Sequence, residues 1–144
     1  MYKRLLLVVV TLFISLHSVE SQPGDAVTFY RNDISEIEIR DSSGRLNDVK
    51  YKFLNVVFIS NEEEMAYMFS FSDNTNPLLF SFERNDYQRL PDGTRMYSGS
   101  KLDPETFDSI EYGYYLVYKS ENGKAVTLIM KGTIPYVRFV LVRG

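Results

Sequence analysis

From Ala26 to Val142, apolar residues recur at every second position in short runs, and turn-forming residues interrupt each run. A period of two sends alternate side chains to opposite faces of an extended strand, whereas an amphipathic helix needs a period near 3.6. Long helical periodicity is missing from the whole stretch. The chain is therefore constrained to an all-β fold built from strands and turns.

The runs and their punctuation predict the order of the strands. Strands are expected over 26–31 and 35–40, with Asp41, Ser43 and Gly44 supplying the turn that follows. The β-branched and aromatic run 48–59 is long enough to need a bend, and Asn55 is its bulge candidate. Phe69-Ser70-Phe71 and Phe80-Ser81-Phe82 flank a turn over 72–77. Folding back with Phe71 opposite Leu78 sets Phe69 against Phe80 and Tyr67 against Phe82, while Ser70 and Ser81 share the other face. Each such aromatic pair adds about 0.2–1 kcal/mol over an alanine pair. Met65, Met68 and Phe69 also fit a helical turn opened by Asn61-Glu62-Glu63-Glu64, but the alternation of Tyr67, Phe69 and Phe71 favours a strand.

Leu90-Pro91-Asp92-Gly93-Thr94 reads as a turn between short arms over 87–90 and 94–97. Asp103-Pro104-Glu105 has the N-cap, first-turn proline and early acid of a short helix running to about Ile110. Asn122-Gly123 is the strongest hairpin signal in the chain. It sets Glu121 opposite Lys124, Val117 opposite Leu128 and Tyr115 opposite Met130. Pro135 belongs at the start or edge of a last strand over 134–142. The expected fold is an antiparallel meander of about eight to ten strands, with at most one or two short helices. A closed barrel is preferred over a two-sheet sandwich because the hairpins follow one another with few long connections.

The N-terminal residues have a different character. Lys3 and Arg4 precede an unbroken apolar run over 5–14, and Val19 and Ser21 suit the −3 and −1 positions of a cleavage site. This predicts a secretory signal over 1–21, cut before Gln22, with 22–144 as a single β domain. The apolar run falls well short of the roughly 20 residues that cross a bilayer as a helix. No integral membrane segment is expected after cleavage, and the product is expected to be secreted or periplasmic.

Composition narrows the chemistry. The net charge of −3 becomes more negative once Lys3, Arg4 and Glu20 are removed, which argues against nucleic acid as a partner. There is no cysteine, so stability has to come from packing, for which eleven tyrosines and ten phenylalanines are the obvious source. The single histidine, His17, lies in the expected signal. A domain without histidine, cysteine or tryptophan has no Ser-His-Asp or Cys-His nucleophile and no histidine or thiolate zinc site. No cofactor and no metal are expected, and the chain reads as a non-enzyme. The oxygen-rich stretches 72–76 and 62–64 lack the ordered spacing of a calcium loop. A carboxylate-based hydrolase is the third reading, drawing on Glu36, Glu38, Asp103 or Glu111. Nothing in the sequence sets two of them at the required separation, and Glu36 and Glu38 share a strand face in the normal solvent pattern.

One stretch singles itself out as a binding surface. With the Asn-Gly turn, Tyr112, Tyr114, Leu116 and Tyr118 share a strand face with Thr127, Ile129 and Lys131. The solvent face of an antiparallel sheet is normally more polar than this, and tyrosine combines an apolar body with a hydrogen-bonding tip. Tyr112, Tyr114, Tyr118, Leu116 and Ile129 are the candidate ligand-binding residues. The same pattern is also that of a second packed layer. Gly113 within the stripe marks either a kink or a place where a bound group comes close.

In size, export signal and β-meander the chain resembles lipocalin-like and fatty-acid-binding-like barrels, in architecture alone. The Gly-x-Trp start typical of lipocalins is missing, as there is no tryptophan. The functional expectation is a secreted, non-catalytic binding protein for a small hydrophobic or aromatic-contacting ligand. The alternative is a β-sandwich module that binds an extracellular protein or glycan.

Overall fold

The structure, a computed structural model, describes residues 26–41, 43–47, 53–73 and 75–142. The expected signal over 1–21 and the first part of the 48–59 run lie outside the described residues. Ten strands are described: β1 (Ala26–Tyr30), β2 (Ile34–Arg40), β3 (Leu46–Asn47), β4 (Phe53–Ser60) and β5 (Glu64–Phe71) come first. They are followed by β6 (Leu78–Arg89), β7 (Arg95–Leu102), β8 (Ser109–Glu121), β9 (Lys124–Lys131) and β10 (Ile134–Leu141). All ten belong to one antiparallel sheet in the order β1-β4-β5-β6-β7-β8-β9-β10-β2-β3.

β1 forms one edge of that sheet, and β2, covered only at Ile39 and Arg40 by the two-residue β3, stands at the other although the two are neighbours in sequence. β1 pairs with β4, from Ala26 with Ile59 to Tyr30 with Asn55. A 3-10 turn over Arg31–Asp33 then hands the chain to β10, where Ile39 faces Val137 and Ile34 faces Leu141. The Asp33 carboxylate accepts the Tyr30 N–H at 2.9 Å, and the Asp33 carbonyl accepts the Val142 N–H at 2.8 Å. One kinked segment thus draws the two edges together, and the sheet is a nearly closed barrel rather than a sandwich.

The turn chemistry accounts for most boundaries. Asn122 and Gly123 both take positive φ, 50° and 75°, and the β8–β9 register is the expected one, with Glu121 facing Lys124 and Tyr115 facing Met130. β4 slips register between Phe53 and Asn55, placing the bend where Asn55 predicts it. Pro135 sits at the start of β10, and the ladder slips just beyond it. Residues 64–71 form a strand, not a helical turn, because the Asn61 side chain accepts the Glu63 and Glu64 N–H groups at 2.8 Å and closes a tight turn before β5.

Three expectations are corrected. Leu78 faces Phe69 rather than Phe71, so Tyr67 meets Phe80 and Met65 meets Phe82. The slip is two residues, which preserves the faces: the aromatics remain together and Ser81 stays on the other side. Pro77 has no N–H to give the ladder, and Phe71 pairs instead with Phe53. The arms around Pro91-Asp92-Gly93 are long strands, because β6 continues through an irregular register between Phe82 and Tyr87. The expected helix after Asp103 is only one turn. The Asp103 carboxylate caps the Glu105 and Thr106 N–H groups and its carbonyl accepts from Phe107, whose φ of 62° then stops the helix. Leu102 pairs with Ser109, so the connection is too short for more.

Inward positions form the core. Phe53, Tyr67, Phe69, Phe80, Phe82, Tyr97, Tyr114 and Phe139 are buried with Ile39, Val56, Met65, Leu116, Ile129 and Val137. Edge-to-face contacts link Phe69 to Phe80 (6.0 Å) and Phe139 (5.9 Å), and Tyr136 to Phe80 (5.9 Å) and Tyr114 (5.6 Å). Such pairs add about 0.5–1.5 kcal/mol each beyond the area they bury. This apolar filling is the reverse of the polar lumen of membrane-spanning barrels. Outward positions form two smaller clusters, around Val57, Ile59, Ala66, Met68, Leu79 and Leu102, and around Val117, Val126, Leu128 and Val140.

Gly99 makes the tightest approach within the sheet. A Cβ there would overlap the Ser81 carbonyl oxygen and the Phe82 ring edge and come within 2.9 Å of Phe82 Cα. Backbone cannot yield as a side-chain tip can, so Gly99→Ala should cost at least about 2 kcal/mol. Urea unfolding monitored by circular dichroism measures this, and an unchanged midpoint would refute the close approach.

Candidate functional site

β8 carries the tyrosine stripe, and one glycine divides it. From Tyr114 onward the expected face points into the barrel: Tyr114, Leu116 and Ile129 are at most 1% exposed. Between Tyr114, which faces Gly99, and Tyr112, which faces Ser100, β8 has one residue more than β7. That residue is Gly113, with a φ of 83° that side chains rarely tolerate. The bulge turns Tyr112 to the outside, 77% exposed. Gly113 is therefore a kink, and its carbonyl is fixed by the Gly132 N–H at 3.0 Å.

The five predicted residues consequently do not form one surface. Tyr114, Leu116 and Ile129 come together as interior packing. Tyr112 stands on the outer wall beside Ile110, which is also exposed. Tyr118 lies towards the opposite end of β8. The residue is 42% exposed, but its hydroxyl shares a 2.7 Å hydrogen bond with the Tyr67 hydroxyl beside the Met65 sulfur.

A different constellation does converge, at the end of the barrel that carries the β2–β3, β5–β6, β7–β8 and β9–β10 connections. Strand alternation points Lys101, Glu111 and Lys131 inward there, next to Tyr114 and Tyr136. Glu111 Oε2 accepts from Lys131 Nζ at 2.7 Å and from the Tyr114 hydroxyl at 2.6 Å. Lys131 Nζ lies 5.7 Å from the Tyr114 ring centre, and Lys101 Nζ lies 5.8 Å from that of Tyr136. Both distances are within cation–π range.

The electrostatics follow from these contacts. The Lys131 hydrogen bond, reinforced by the Tyr114 hydroxyl and the charges of Lys131 and Lys101, holds the Glu111 carboxyl below the usual carboxylate range. Burial first, and donation to Glu111 second, push the Tyr114 phenol upward. Sequence reasoning had Lys131 on the stripe and Glu111 among the carboxylates, but it missed Lys101 and Tyr136. Nothing in Ser98-Gly99-Ser100-Lys101 marks that lysine, and Tyr136 lies at the β10 slip, where simple alternation fails.

The opposite end is richer in arginine. Arg84 donates to the Asn61 carbonyl at 2.7 Å and to the Ser60 hydroxyl, and Arg95 lies 4.6 Å from the ring centre of Tyr87. Burial raises the Tyr67 and Tyr118 phenols.

The remaining carboxylates are committed elsewhere. Glu36 receives Lys124 at 2.7 Å and Arg138 at 3.0 Å on the outer face, Glu38 lies 3.8 Å from Arg40, and Asp103 caps its turn. The oxygen-rich stretches are likewise engaged in turns, Asp73 accepting the Thr75 N–H and Asn61 those of Glu63 and Glu64. Comparison with protein-family models, with curated proteins and with solved structures finds no match to this chain.

Two predictions follow from these placements. Tyr114→Ser should destabilise by about 3–5 kcal/mol, the range for emptying a buried aromatic site, while Tyr112→Ser should stay within about 0.5 kcal/mol. Denaturant midpoints of the two single variants separate core from surface. A raised phenol pKa contributes stability that is complete below the unfolded value, about 10, and is lost as pH rises through the folded one. Tyr67, Tyr114 and Tyr118 should therefore stay protonated while the fold persists and ionise together with alkaline unfolding. Phenolate absorbance read beside near-UV circular dichroism tests this, and complete ionisation of every tyrosine with the fold intact would refute it.

Proposed function

We propose that this chain is a non-catalytic binding protein, secreted or periplasmic, that takes a small apolar or aromatic-contacting ligand at the end of its barrel lined by Tyr114 and Tyr136. The observation that carries this reading is the half-open group of Lys101, Glu111 and Lys131 set on two tyrosine rings in an otherwise apolar interior. Ligand sites are commonly apolar surfaces with a few convergent polar groups, often at the mouths of barrels. The aromatic filling of the centre favours a ligand that meets the end of the barrel over one enclosed within it. The lack of histidine and cysteine beyond His17 favours binding over catalysis.

A second reading rests on Tyr112 and Ile110. Both are well exposed on the outer wall of β8, and aromatic side chains displayed in this way suit contact with an extracellular protein or glycan.

Native mass spectrometry of the protein isolated from its own source should reveal a co-purifying small molecule. Adding that molecule back to isotope-labelled, ligand-stripped protein should shift the amides of Lys101, Glu111, Tyr114, Lys131 and Tyr136. Shifts confined to Ile110 and Tyr112 would favour the second reading. A ligand that shifts neither group would overturn both.

A further inference from the structure

The inward charges at this end do not balance: strand alternation turns Lys101, Glu111 and Lys131 inward, two lysines and one glutamate. Glu111 is already engaged: one oxygen, Oε2, receives both Lys131 and the Tyr114 hydroxyl. Lys101 has no carboxylate within 4.0 Å among the described residues, and its ammonium rests 5.8 Å from the centre of the Tyr136 ring. Lys101 does act on Glu111 through space, helping to hold it ionised, so it belongs to the same electrostatic group. This inward group therefore carries one positive charge in excess, while the connections around it bear carboxylates of their own, Asp41, Asp103 and Asp108 among them.

A lysine ordinarily extends into water, where its charge is best solvated. Here strand alternation turns it inward, opposite Phe80. Phe71, Leu78 and Tyr136 pack only partly buried against the same interior cluster. A cation among apolar surfaces is poorly screened, so it attracts an anion more strongly than an exposed lysine would.

We infer that the ligand is an amphiphile with an anionic head, bound with the head at Lys101 and the apolar body against the neighbouring aromatic and aliphatic side chains. This rests on the binding reading above and adds the sign of the ligand's charge. Lys101 supplies the attraction. Glu111 opposes the anion, both by its own charge and by occupying Lys131.

Calorimetric titration of the full chain at pH 7 with octanoate, octanol and octylammonium tests the charge, and acetate tests the head group alone. Octanoate should bind at least about tenfold more tightly than octanol, the usual value of a charge-assisted contact. Octylammonium and acetate should bind more weakly still. Lys101→Met, which keeps the apolar stem, should weaken octanoate about tenfold and leave octanol unchanged, and Lys101→Arg should restore octanoate. Glu111→Gln should tighten octanoate, a gain that structural damage would not produce. Near-UV circular dichroism verifies that each variant is folded. Equal affinity for octanoate and octanol, with neither Lys101→Met nor Glu111→Gln altering octanoate binding, would overturn the anionic head while leaving an apolar site standing. Failure of all four probes to bind would overturn the small-ligand reading itself.

Discussion

A sheet becomes a barrel only if its two edges meet, and here one segment has to satisfy both. β1 lies on β4, β2 lies on β10, and three residues of 3-10 turn join them. Asp33 is the pivot, receiving Tyr30 through its carboxylate and Val142 through its carbonyl. Once the seam is held, the direction of every strand and the parity of every side chain follow. An odd-residue slip would send a whole strand's apolar set outward, so the interior and the seam fix each other.

The interior then decides where function can reside. Large rings from β4, β5, β6, β8 and β10 meet near the centre, several of them edge to face. Side chains packed in this way leave little reason for a ligand to enter, because it would have to displace contacts as good as those it makes. The ends are different. There the rings run out, strands are capped by turns, and inward positions can accept polar groups that reach solvent. Gly99 contributes by lacking a side chain: it lets β6 and β7 come close opposite Tyr114, whose phenol reaches Glu111.

Much of this was legible in the sequence because it depends on local rules. The Asn-Gly hairpin gave its register residue for residue, since two positive φ values leave few alternatives. The Phe-Ser-Phe hairpin gave its faces but not its register, because parity is set by alternation whereas register is set by the loop, and Pro77 moves the first available pairing. The site was less legible for the same reason. Alternation put Tyr112 with Tyr114, and one extra residue at Gly113 separated them. Lys101 and Glu111 are far apart in the chain's pattern of signals and become neighbours only because β7 and β8 pair around that bulge. Bulges and slips are the tertiary decisions that a period-two pattern does not contain.

The two ends of the barrel use tyrosine differently, and the contrast shows what the charged end adds. Tyr67 and Tyr118 share one hydrogen bond between their hydroxyls, with the Met65 sulfur as the neighbouring acceptor, so a group of neutral side chains serves itself. Tyr114 donates instead to a carboxylate, and the carboxylate is held ionised by a lysine. That arrangement keeps a charge at a half-open surface where a second tyrosine would have sufficed for packing. Maintaining an ionised group next to aromatic rings costs desolvation, which Lys131 offsets for Glu111 by direct hydrogen bonding. Among the described residues, Lys101 has only the Tyr136 ring and the more distant field of Glu111 to offset its own cost. A fold that needed this end only for packing gains nothing from that lysine. A fold that receives an anion there gains the partner that completes the group.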